Sequence, residues 1–185
     1  MNILISACLL GVACRYDGKS KEVERIKKLL SKYNLIPICP EQLGGLPTPR
    51  VPSERCGDKV INSQMEDVTL QYKKGAEEAL RLAKIFNCSI AILKAKSPSC
   101  GCGQIYDGSF SKTLITGNGT TTELLLKNGI KVFTENSPEL ESLQVILSYT
   151  LLLKLHYLIR ALPSLYKAHL DSIHSLILSP YQEHI

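Results

Sequence analysis

The sequence predicts an α/β fold: a single domain with a mainly parallel open sheet flanked by helices, Rossmann-like, plus a helical C-terminal tail. Three observations carry that expectation. Apolar runs alternate with helical stretches at short intervals between residues 2 and 133, the pattern of a parallel sheet covered on both faces. The runs at 2–7 and 90–94 are apolar almost throughout rather than alternating, as strands buried on two faces are. Residues 138–185 differ in composition and are dense in leucine. The predicted division is therefore an α/β domain over 1–137 and a hydrophobic helical extension over 138–185.

In chain order, residues 2–7 read as a buried strand that ends at Cys8. The loop after it closes on Asp17-Gly18, a strong turn signal. Residues 20–33 have helical spacing, with Val23, Ile26, Leu29, Leu30 and Tyr33 on one face. A short strand over 35–38 ends at Cys39, and Pro37 within it suits a sheet edge or a strand start. Residues 40–57 carry Pro40, Gly44, Gly45, Pro47, Pro49 and Pro52 and predict a long loop, a feature usually tied to function in a compact domain. Residues 68–87 predict the clearest helix, with Leu70, Ala76, Ala79, Leu80 and Ala83 inward. Gly75 costs that helix about 1 kcal/mol relative to alanine, which points to close packing there. Residues 90–94 are a buried strand leading into the glycine-rich turn at 97–103. A helix is expected over 120–128 with a threonine N-cap, then Gly129 as its stop and a last strand over 130–133.

The 185 residues can bury a core without disulfide or metal staples, so a metal here serves function. With 44% hydrophobic and 21% charged residues the chain is globular rather than disordered. The net charge of +5 is spread out. Its densest stretch, Lys19 to Lys32, reads as a solvated helix face, and no DNA partner is expected. The N-terminus lacks the basic region of a secretory signal, so the protein is expected in the cytoplasm. Seven cysteines, an odd number, in a reducing compartment point to ligands or reactive thiols rather than disulfides. In the tail, residues 143–162 approach the length of a membrane span. Lys154, His156 and Arg160 interrupt that stretch, and Pro163 and Pro180 break its helices. Soluble or interfacial helices are expected, with no stable span.

Three cysteines share one structural address. Cys8 and Cys39 end the first two strands and Cys100 lies just past the third. The carboxyl ends of parallel strands lie along one edge, where ligand sites gather, so these thiols should converge. A structural zinc site takes four ligands, usually in C-x-x-C knuckles, and none occurs here. An iron–sulfur cluster accepts thiolates from distant loops, and three ligands would leave one iron of four open as a Lewis acid. Soft sulfur would be its natural guest. A free cysteine is often only a small buried hydrophobe, the reading for Cys88 and Cys56. Cys14 and Cys102 each lie close enough in sequence to a proposed ligand to substitute for it. A zinc-bound or thiol-redox module stands as the alternative to an enzyme.

An ordered set of motifs adds to this. Ile5-Ser6-Ala7-Cys8-Leu9-Leu10-Gly11, Arg15-Tyr16-Asp17-Gly18, the run from Cys39-Pro40-Glu41-Gln42-Leu43-Gly44-Gly45 to Arg50, Ser97-Pro98-Ser99-Cys100-Gly101 and Ile105-Tyr106-Asp107-Gly108 together resemble the 2-thiouracil desulfurases, small bacterial proteins long classed as a domain of unknown function. The resemblance covers about residues 1–135. It implies a [4Fe–4S] cluster on Cys8, Cys39 and Cys100, a thiocarbonyl sulfur held at the fourth iron, and replacement of that sulfur by water with no net redox change. It implies a small thiolated nucleobase or nucleoside as substrate. The family's catalytic glutamate maps to Glu41 and its serine to Ser97, with Ser99 as the alternative. Arg15, Asp17 and Arg50 are polar and loop-placed, and are expected to line the pocket or brace its loops. The tail departs from the family, whose members are expected to end near residue 140–150.

Overall fold

The computed structural model describes residues 1–141 and 143. The chain forms two compact units, Met1–Leu140 and Glu141–Ile185. Every strand and helix named here belongs to the first, and the expectations for the tail fall almost wholly outside the described residues. Among those described, no helix is long and apolar enough to cross a membrane.

The expected parallel sheet is present. Strands β1 (Asn2–Ser6), β2 (Asn34–Ile38), β5 (Ile90–Leu93) and β8 (Lys131–Thr134) pair in the order β2-β1-β5-β8, every pair parallel. Ile3, Leu4, Ile5, Ala91, Ile92 and Leu93 are all 0% exposed, which is why β1 and β5 read as unbroken apolar runs. Burying each large aliphatic side chain stabilises the fold by roughly 1.5–3 kcal/mol. β2 is one of the two edge strands, and Pro37 in it is exposed, its missing N–H breaking no inner ladder.

The helix expected over 20–33 needs correction. The structure has only α1 (Glu24–Lys27), continued by a 3-10 turn over Lys28–Ser31. Residues 20–23 are held out of the helix because Lys21 and Val23 donate their N–H groups to the carbonyls of Cys8 and Leu9. Those bonds tether the cysteine loop instead. Ile26, Leu29 and Tyr33 are buried as expected, whereas Leu30 is exposed.

The long loop expected over 40–57 is also more ordered than predicted. Pro40–Leu43 forms α2, with proline at the favoured start. Ser53–Cys56 (β3) pairs with Lys59–Asn62 (β4) as an antiparallel hairpin. The signal was the two-residue Gly57-Asp58 turn between the runs. A second hairpin joins Gln104–Tyr106 (β6) to Leu114–Thr116 (β7).

Helix α3 spans Thr69–Ile85 and buries Tyr72, Gly75, Ala76, Ala79 and Ala83. Leu70, expected inward, is 80% exposed; the buried stripe is built on small residues and one tyrosine. Close packing at Gly75 is real. A Cβ there would stand 1.9 Å from the Pro40 carbonyl oxygen, and one on Gly44 would stand 2.0 Å from that of Gln71. The backbones of α2 and α3 therefore touch. Helix α4 (Thr120–Lys127) has Gly119, not a threonine, as its N-cap, with no side-chain cap. The N–H groups of Thr120, Thr121 and Thr122 instead bond the carbonyls of Pro98 and Ser99. The segment that carries Cys100 thus caps α4.

Candidate active site

The carboxyl edge of the sheet delivers the three cysteines as expected. Cys39 directly follows β2. Cys8 sits on the 3-10 turn Ala7–Leu10 just after β1, and Cys100 lies beyond β5 on the segment that caps α4. All three line one cavity of about 470 Å³, together with Cys14, Glu41, Arg50 and Ser97. Every cysteine is a free thiol.

Cys8, Cys14 and Cys100 are 7%, 2% and 5% exposed, and burial opposes the ionisation of Cys14 and Cys100. Burial pushes the Cys100 thiol up to about 12, against a hydrogen bond from Ser6 that pulls the other way. Cys39 is pushed up strongly, first by its contact with the Cys14 thiol and then by burial. Cys14 feels Cys39 lowering it, but Cys8 and burial outweigh that and raise it to about 11. Crowded, buried thiols of this kind fit a polynuclear metal centre, which deprotonates its thiol ligands outright. Among the described residues no three His, Cys, Asp or Glu side chains are arranged to hold a single metal ion. A four-iron cluster asks for something else, with thiolates on separate irons and therefore spread around the cofactor.

Beside the thiols, α2 presents Glu41. Its Oε2 accepts from Arg50 Nε at 2.6 Å, and the side chains are 14% and 5% exposed. The remaining guanidinium nitrogens donate to the Cys14 carbonyl at 3.1 Å, the Pro47 carbonyl at 3.2 Å and Thr48 Oγ1 at 3.1 Å. Arg50 therefore locks the carboxylate and ties the Cys14 loop to the segment after α2. Glu41 Oε1 is left facing Ser97, whose Oγ donates to it at 3.4 Å. Ser97 Oγ itself accepts the N–H groups of Ser99 and Cys100, each at 3.1 Å. With both acceptor positions used, its one proton can only point outward.

The two candidate serines separate. Ser97 lines the cavity, whereas Ser99 is 0% exposed and shares a 2.8 Å hydrogen bond with Thr121. Ser99 lies under the Cys100 segment, where its side chain also hydrogen-bonds the Cys100 thiol. Arg15 lines the cavity. Asp17 does not, but pairs with Arg15 at 3.2 Å. Cys14 faces the site, while Cys102 turns away, its thiol against the Val132 carbonyl at 3.7 Å. Cys88 is a core thiol, as expected, whereas Cys56, given the same reading, is exposed at the end of β3.

Sequence reasoning missed Tyr72. It is 2% exposed, lines the cavity and interacts electrostatically with Glu41 and Arg50. Desolvation, reinforced by the Glu41 charge, pushes its phenol far up. Its signal was the helix phase: a tyrosine at the i−4 position from Ala76 shares its buried face.

Comparison with known proteins agrees with this geometry. The chain is 44% identical over 144 residues to the uncharacterised protein YbbK of Bacillus subtilis (strain 168), covering 72% of this chain and 95% of that relative. The solved structure of TudS, a [4Fe-4S]-dependent thiouracil desulfidase, superposes with a TM-score of 0.74 at 44% identity, covering 80% of this chain and 98% of that one. Residues 3–137, which hold every side chain of the cavity, match the family described as 2-thiouracil desulfurase, and the chain belongs to that family.

Proposed function

We propose that this protein is a [4Fe–4S]-dependent, non-redox desulfurase that exchanges the thiocarbonyl sulfur of a small thiolated nucleobase, such as 2-thiouracil, for the oxygen of water and releases hydrogen sulfide. The observation that carries the reading is the convergence of Cys8, Cys39 and Cys100 on one cavity with Glu41 and Ser97. Those three cysteines would hold the cluster. When bound, it supplies an iron with no protein ligand, a Lewis acid suited to soft sulfur.

The chain's own residues do the rest. Arg50 fixes one oxygen of Glu41, which leaves Oε1 to take a proton from the attacking water. Ser97 Oγ, held by two backbone N–H groups, keeps its one proton to donate, to Glu41 Oε1 or to an acceptor atom of the substrate. Arg15 and Arg50 bind the polar edge of the base, and Asp17 acts through Arg15. The balance is one water consumed and one hydrogen sulfide formed per thiocarbonyl, with no electrons transferred.

The activity resides in residues 1–137, with 138–185 an appendage. Seven free thiols among the described residues suit the reducing cytoplasm as the place of work.

The test is anaerobic purification followed by metal analysis and incubation with 2-thiouracil and its nucleoside. Brown protein, about four irons per chain and release of hydrosulfide with formation of the oxo base are expected. Zinc without iron would favour a non-catalytic metal module and overturn the proposal.

A further inference from the structure

Ser6 is the last residue of β1, 2% exposed, and lies in the wall of the cavity. Its hydroxyl meets two polar groups. Lys94 N–H donates to Ser6 Oγ at 2.9 Å, because β5 ends at Leu93 and this amide has left the ladder. Cys100 Sγ lies 3.5 Å from the same oxygen. A serine hydroxyl has one proton. Lys94 occupies a lone pair, so the proton is free to be given away, and the sulfur beside it is that of Cys100. A thiolate bound to metal carries no proton, so on a loaded site the bond can run in one direction only, from oxygen to sulfur.

We propose that Ser6 is a positioning residue for the cluster: its hydroxyl, oriented by the Lys94 amide, donates to the ligand sulfur of Cys100 and weakens that thiolate as an electron donor. The inference rests on the cluster reading proposed for this site. Hydrogen bonds to ligand sulfurs are among the influences that set a cluster's reduction potential. In a reaction without electron transfer the same withdrawal of density makes the irons stronger Lewis acids. A seryl hydroxyl is a device for this because the two atoms it bridges are both held in place, the Lys94 amide directly after β5 and the Cys100 sulfur on the segment that caps α4.

The test compares anaerobically purified holoenzyme with its Ser6→Ala and Ser6→Thr variants. The readouts are the cluster's midpoint potential, the Fe–S(Cys) stretching band by resonance Raman, and pulsed EPR of the reduced cluster after exchange into D2O. Ser6→Ala is expected to keep its iron, with a lower potential, a band moved to higher frequency and loss of an exchangeable-proton coupling. Ser6→Thr, which retains the hydroxyl, is expected to stay near the wild type in all three. A Ser6→Ala protein with unchanged potential and band overturns the inference even if it is less stable. Should Ser6→Ala not fold, a wild-type cluster with no exchangeable proton coupled to it overturns the inference on its own. A wild type that binds no iron overturns the proposed desulfurase function, and this inference with it.

Discussion

At the scale of single residues, the roles proposed for Glu41 and for the cysteines can be separated by substitution. Glu41→Gln keeps the shape and the Arg50 contact but removes the base, so sulfide release should fall by about 10²–10⁴-fold, the usual worth of general base catalysis. The iron content and visible spectrum should not change; a spectrum lost together with activity would show Glu41 to be structural. Alanine at Cys8, Cys39 or Cys100 should abolish the four-iron spectrum one at a time, while Cys88→Ala, at a thiol that does not line the cavity, should leave it intact. Iron analysis of the four variants decides this. Much of this site was legible beforehand, because thiols placed after parallel strands must meet at one edge. Ser97 and Ser99 could not be ranked from sequence: both sit in one tight turn, and only the packing of Ser99 against Thr121, twenty-two residues on, shows which of the two is buried away from the cavity. Tyr72 was hidden for a related reason. Its role depends on which face of α3 meets α2, and the apolar Leu70 pointed to the wrong phase.

At the scale of elements, what sets the site is how closely α2 approaches α3. α2 is one turn long and carries Cys39 at its N-cap and Glu41 in its first turn, so any shift of α2 moves a thiol and the base together. Gly75→Ala would put a methyl 1.9 Å from the Pro40 carbonyl oxygen. Overpacking usually costs about 1–3 kcal/mol, and here the obstacle is backbone, which cannot rotate away. Urea unfolding should therefore show a loss at the upper end of that range, and sulfide release should fall more than stability alone explains. Full activity in a destabilised Gly75→Ala protein would mean that α2 has room to move without harm. Helix α3 was legible because its spacing extends over seventeen residues, and the buried strands because their apolar runs are unbroken. The two hairpins and the short α1 were not. Their strands are three or four residues long, and residues 20–23 leave the helix for hydrogen bonds to Cys8 and Leu9, a tertiary contact that outweighs helical spacing.

For the whole molecule, metal and protons are linked. In the apoprotein Cys100 is held up to about 12 and Cys39 and Cys14 are also raised from 9.0. The folded apo chain thus keeps these protons at pH values where the unfolded chain releases them. Stability contributed by the protonated thiols is full below the ordinary thiol range and is lost as pH rises from about 8.5 towards the folded values. Apoprotein should accordingly lose thermal stability as the pH is raised from 8 to 10, whereas holoprotein, whose ligand thiols are already deprotonated, should lose less; parallel melting curves at the two pH values would refute the linkage. The last question at this scale is the tail. YbbK is covered over 95% of its own length and the TudS chain over 98%, by 72% and 80% of this chain respectively. Neither relative has the length to match residues 141–185 in addition, and the family match stops at 137. Every residue that lines the cavity belongs to the unit Met1–Leu140, so its chemistry is assigned to that unit alone. A chain ended after Leu140 should load iron to the same level and release sulfide from 2-thiouracil at the full-length rate, within about twofold. If that truncation folds and binds iron but turns over slowly, the extension completes the substrate site, and the division of labour argued from the relatives fails.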